Sequence, residues 1–211
     1  MNNKTKEIIE IFGKIYENPK TQLTHESDFE LLVGVILSAQ CTDARVNIVT
    51  EELFKEYNTP EKMLKLSNNQ LENFIKPCGL YKNKAGFILS CSKDIIEKFN
   101  GRVPDNLKDL MSLKGIGRKS ANVLYSFAFG GDAIAVDTHV FRVSRRLGLS
   151  SGKNPLQTEK ELQKAIDKKY WSVAHHYLIY HGRRVCKARK PDCENCKVSH
   201  LCDYYKTLPL S

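Results

Sequence analysis

Hydrophobic residues recur along this chain with helical spacing, and the continuous β-branched alternation that builds half-buried strands is absent. The segment Asp28-Phe-Glu-Leu-Leu-Val-Gly-Val-Ile-Leu-Ser38 is apolar around most of its circumference, the pattern of a helix buried at the centre of a bundle. Stretches 68–76, 84–99, 106–112 and 118–129 each fit a 3.6-residue period or a short helix. Thr158, followed three residues later by Glu161, reads as a capping box ahead of a helix over 162–170. Asp137 precedes an amphipathic stretch ending near Gly148, and its plainest role is that of an N-cap. Proline and glycine are spread thinly and no repeat or low-complexity tract is visible, so the pattern predicts an all-α fold with short connections.

Composition changes this picture at two points. A chain of 211 residues with 41% hydrophobic and 27% charged residues is ordinary for a globular protein of one domain or two small ones. Its net charge of +9 is not, and most of the excess lies in residues 132–211, which carry 15 Lys/Arg against 8 Asp/Glu. Charge gathered in this way suits a polyanionic partner approached from one side, although it also serves solubility. Met1–Lys20 is charged throughout, without the apolar run of a secretory leader, and the longest apolar stretch, Leu31–Leu37, is too short to span a bilayer. The expectation is a cytoplasmic, nucleoid-associated protein with no membrane contact. Thiols stay reduced there, so seven cysteines need a purpose other than disulfides.

Four of them supply one: Cys186, Cys193, Cys196 and Cys202 fall within 17 residues. Structural zinc usually takes pairs of closely spaced cysteines, whereas only Cys193 and Cys196 form such a pair here. A compact loop with longer arms favours a [4Fe–4S] cluster, with zinc the alternative. The loop between the first two cysteines, Lys187-Ala-Arg189-Lys190-Pro-Asp, is basic and suits either phosphate contact or compensation of cluster charge.

A second motif, Leu113-Lys-Gly115-Ile-Gly117-Arg118-Lys119-Ser-Ala-Asn122, lies between two helical patterns. Two glycines one residue apart permit positive-φ turns and close approach of the backbone to a partner. The N–H groups at the start of the following helix then form an anion site, so the segment reads as a helix–hairpin–helix phosphate grip. A helix-terminating turn is the plainer alternative.

Leu113–Val123, Val136–Arg142 and the four-cysteine loop, together with Leu37–Asp43 and Gly79–Ala85, resemble the endonuclease III family of helix–hairpin–helix DNA glycosylases over essentially the whole chain. The resemblance implies a six-helix barrel near residues 21–131. It also implies a second helical domain, from residues 1–20 and 132–211, closed by the cluster, with double-stranded DNA across the groove between them. Lys119 and Asp137 fall on the catalytic pair. Gln40 and Leu80 fall on two loops that enter the base stack where the damaged nucleotide has left, an amide for the orphaned base and an apolar wedge. One departure is Lys114, where the family's hairpin often opens with proline. Cys41, Cys78 and Cys91 are expected to pack as small apolar residues.

The implied activity is that of a monomeric glycosylase and abasic-site lyase acting on oxidised pyrimidines. A helix N-terminus, desolvation and Arg118 would lower the pKa of Lys119 and free its amine to attack the sugar. Lysine at this position separates the chain from relatives that use water as the nucleophile. The cluster, with four protein ligands, would be structural and DNA-positioning.

Overall fold

Side-chain caps fix where most of the helices begin. The computed structural model describes residues 1–17 and 21–208, and the described residues form α-helices and 3-10 turns with no strand. The fold is all-α. The chain divides into two compact units, Thr21–Gly131 and Met1–Lys20 with Asp132–Ser211.

Thr21–Gly131 is built around α2 (Asp28–Leu37), in which Phe29 through Leu37 are all buried. Ser27 caps it by accepting from the Glu30 amide at 3.2 Å. Around α2 lie α3 (Asp43–Phe54), α4 (Pro60–Met63), α5 (Asn68–Ile75), α6 (Tyr81–Phe99), α7 (Leu107–Leu110) and α8 (Arg118–Phe129). Leu31, Leu32, Leu53, Ile75, Ile88, Ile95 and Leu124 meet in one core. Burying each such side chain contributes about 1.5–3 kcal/mol, which is why the apolar pattern dictates the packing.

The other unit packs α1 (Asn3–Ile15), α9 (Thr138–Leu147), α10 (Pro155–Ala165) and α11 (Trp171–Arg184) over a separate core of Ile8, Phe12, Val140, Val143, Leu162 and Leu178. Gly148 ends α9 in the left-handed conformation, φ 74°.

Several elements differ from the sequence pattern. The expected capping box at Thr158 is not formed: Asn154 is the cap, accepting from the Gln157 amide at 2.9 Å, and Pro155 opens the helix. Thr158 is therefore buried inside α10. Glu161 reaches instead to the Ser151 amide (2.7 Å) and the Ser150 hydroxyl (2.9 Å), which hold its carboxyl below the usual range. The helix stops at Ala165, and residues 168–170 form a separate 3-10 turn. α6 starts three residues earlier than its periodicity suggests, and α7 is a single turn capped by Asn106. Cys78 and Cys91 are buried as expected, while Cys41 is half-buried.

Candidate active site and cluster loop

The hairpin begins with a reversal at Leu113–Ile116, closed by the Ile116 amide donating to the Leu113 carbonyl at 3.1 Å. Gly115, third in that turn, has φ 85°, the value a type II turn requires at this position. The expectation of positive φ fails at Gly117, which is extended at φ −85°, ψ 176° and serves as the N-cap of α8. With no side chain at Gly117, nothing caps α8 from within, and no heavy atom lies within 4 Å of where a Cβ would stand there. The first turn of α8 thus presents its N-terminal end to an outside anion. From below, Cys91 steadies the turn: its Sγ donates to the Lys114 carbonyl at 3.1 Å, and burial pushes its thiol up to about 12, so it remains a donor.

Arg118 and Lys119 occupy the first two positions of α8, and both are exposed. Asp137, in the other unit, is half-buried and caps α9 by accepting from the Val140 amide at 2.7 Å. Gln40 and Leu80 are both exposed and both left-handed, with φ 55° and 48°. Leu80 stands at the N-cap of α6 directly after Gly79, itself at φ 63°.

In the cysteine loop, Lys187, Arg189 and Lys190 are exposed, and the backbone at Cys186–Ala188 is held from α9. Arg146 donates to the carbonyls of Lys187 (2.7 Å) and Ala188 (3.1 Å), and its guanidinium stacks on Tyr204 at 4.7 Å. One turn earlier, Arg142 donates to the carbonyls of Cys186 (3.1 Å) and Gly182 (3.0 Å). The cysteine sulfurs also receive partners. Arg146 Nη1 donates to Cys186 Sγ at 3.4 Å, and His181 lies between the Tyr16 hydroxyl (2.9 Å) and Cys196 Sγ (3.6 Å). Donors aimed at sulfur suit an anionic thiolate–iron assembly, whose charge such hydrogen bonds stabilise. The four cysteines influence one another electrostatically.

Sequence reasoning missed Arg146, His181 and the buried Lys84, whose ammonium donates to the carbonyls of Leu37 and Cys78, each at 2.8 Å. The spacing of Arg142 and Arg146, one helical turn apart on α9, is the only local signal for the first of these.

A helix–hairpin–helix turn and a four-cysteine loop in one chain define a class, and the comparisons place the chain in it. Residues 33–168 match the model of the HhH-GPD superfamily base excision DNA repair protein, and residues 186–202, from the first to the last of the four cysteines, match the iron–sulfur binding domain of endonuclease III. Endonuclease III of Rickettsia conorii is 50% identical over 95% of this chain and 96% of its own length. Endonuclease III of Escherichia coli is 44% identical over 96% and 97%. A trapped endonuclease III–DNA covalent intermediate superposes with a TM-score of 0.91 at 45% identity, covering 98% of both chains. A thermostable thymine-DNA glycosylase gives 0.87 at 25% identity, covering 98% of this chain and 99% of that one. The chain belongs to the endonuclease III family: it is a base excision repair DNA glycosylase with abasic-site lyase activity, and it carries a [4Fe–4S] cluster. No helix among the described residues is long and apolar enough to cross a membrane.

Proposed function

We propose that this enzyme removes oxidised pyrimidines from double-stranded DNA through a Schiff base on Lys119 and then cuts the strand by β-elimination. The observation that carries the reading is the placement of Lys119, exposed on the first turn of a helix with no side-chain cap, directly after the Gly115 turn. A phosphate on that helix end brings the sugar backbone to the lysine, and the covering DNA supplies desolvation. A relative trapped as a covalent protein–DNA intermediate supports the same chemistry.

The steps balance simply. The neutral amine of Lys119 attacks C1′ of the extruded nucleotide as the glycosidic bond breaks and the base leaves with a proton. The Asp137 carboxylate stabilises the positive charge that develops on the sugar. The C1′–O4′ bond then opens, O4′ taking a proton from solvent, to give the iminium; this acidifies C2′, loss of that proton expels the 3′ phosphate, and water hydrolyses the remaining imine to free Lys119. Gln40 and Leu80 enter the space the nucleotide vacates, while the hairpin and the exposed Lys187, Arg189 and Lys190 take phosphates. Cys186, Cys193, Cys196 and Cys202 hold the cluster, which fixes the shape of that basic loop. In this reading Thr21–Gly131 is the hairpin domain and the other unit is the cluster domain of a cytoplasmic monomer.

Borohydride reduction during turnover tests the nucleophile. The parent enzyme should be trapped on abasic DNA, and Lys119→Gln should bind that DNA yet show neither trapping nor cleavage. Trapping retained by Lys119→Gln would assign the Schiff base to another amine.

A further inference from the structure

Lys84 is 3% exposed, lies in the first turn of α6, and is used by nothing in the chemistry above. Taking an ammonium out of water is costly, so its partners indicate what it does. Both are main-chain carbonyls at 2.8 Å: Leu37, the last residue of α2 and three before Gln40, and Cys78, two before Leu80. The Lys84 amide also closes the first bond of α6 onto the Leu80 carbonyl at 3.1 Å.

The two loops so joined need holding. Gln40 and Leu80 are non-glycine residues in the left-handed region, a disfavoured conformation that persists only where the surroundings fix it. Leu80 receives no help from capping, because no side chain caps α6. The Leu37 carbonyl belongs to the last turn of α2, where orphaned acceptors and the helix dipole both favour a cation. Cys78 stands beside the ammonium and offers no fixed countercharge, because burial pushes its thiol up to about 11.

We infer that Lys84 is a positioning residue that sets the spacing between the Gln40 and Leu80 loops, so that the two side chains enter the duplex together. The inference rests on the reading of Gln40 and Leu80 given above. It adds a buried residue, away from the exposed surface, on which specificity for duplex DNA depends. Displacing one loop by about 1 Å is enough to cost on the order of 100-fold in rate.

The test compares two substrates with the full-length, cluster-loaded protein: a lesion-containing duplex and a single strand carrying an abasic site. A single strand has no stack to enter, so loop spacing matters far less there. Lys84→Met, which keeps length and removes the donors, should slow excision from the duplex by about 10–100-fold and slow cleavage of the single strand far less. Combined with Leu80→Ala it should slow the duplex reaction little beyond Leu80→Ala alone, since both remove one function. Equal slowing on both substrates, or unchanged duplex excision, would overturn the inference. Lys84→Gln, which keeps one amide donor group on a shorter stem, is read alongside. If neither variant folds, Lys84 merely fastens the core and the inference also falls. Gln40→Ala and Leu80→Ala separate the two ideas: if they leave duplex excision intact, the reading of the loops fails. If they slow it while Lys84→Met does not, only the inference fails.

Discussion

Gly115 and Gly117 sit two residues apart in the hairpin, and replacing each by alanine should have opposite consequences. At Gly115 an added Cβ would stand 2.6–2.9 Å from three carbons of Phe87, in a backbone at φ +85°. The left-handed conformation costs alanine about 1 kcal/mol and the crowding about 1–3 kcal/mol more, for a loss of about 2–4 kcal/mol in stability. At Gly117 the backbone is extended and a Cβ meets nothing within 4 Å. Alanine is a poorer N-cap than glycine by about 0.5–1 kcal/mol, and its less flexible unfolded chain returns about 0.4–1 kcal/mol, so stability should change little. Binding should not be spared, because an N-cap methyl adds bulk next to the first amides of α8, where the phosphate is proposed to sit. Losing one charge-assisted hydrogen bond is worth about 1.5–3 kcal/mol, or roughly 10–100-fold in Kd. Urea melts of both variants, beside titrations of an abasic-analogue duplex at one fixed salt concentration, read the two quantities separately. Gly117→Ala binding as tightly as the parent would remove the hairpin amides from the phosphate contacts, and Gly117→Ala melting like Gly115→Ala would make Gly117 a folding residue.

Lys114 occupies the second position of the same turn, where proline is favoured, so Lys114→Pro should raise stability by about 0.4–1 kcal/mol in a denaturant melt. Asp137→Asn keeps an N-cap oxygen, so the fold should survive while base excision slows at least 100-fold and cleavage of a pre-formed abasic site slows less; unfolding instead would leave the cap as the whole role of Asp137. Arg146→Ala removes the donors to Lys187, Ala188 and Cys186, and iron content together with the cluster's visible absorbance should decline faster on storage than in the parent. His176 is held neutral by burial, its pKa lowered to about 4, while the unfolded chain takes up that proton near pH 6.5. Its contribution to stability is therefore whole above pH 6.5 and is lost as pH falls toward 4, by about 1.4 kcal/mol per unit, and His176→Leu should flatten this part of the stability profile.

How much of this was readable beforehand depended on where each residue's partner lies. Asp137 was legible as a cap because its partner is the amide three residues on, and Gly115 because a turn of this kind is set within four residues. The cysteine loop was legible because thiol chemistry leaves few alternatives at that spacing. Thr158 misled because the Thr–Glu pattern fits a helix start taken alone, while Asn154 and Pro155 had already begun that helix. Two of the misses, Lys84 and Arg146, share one cause. Lys84 reaches a carbonyl 47 residues away and Arg146 reaches carbonyls 41 and 42 residues away, and a backbone acceptor has no residue type to betray it. Each of these cations braces a loop whose own exposed side chains the motifs had already marked: Gln40 and Leu80 for Lys84, and Lys187, Arg189 and Lys190 for Arg146. Side chains that would meet the substrate are constrained by chemistry and so show in the motif. Those that hold the loops in place are constrained only by the path of the main chain, which becomes visible once the helices are packed.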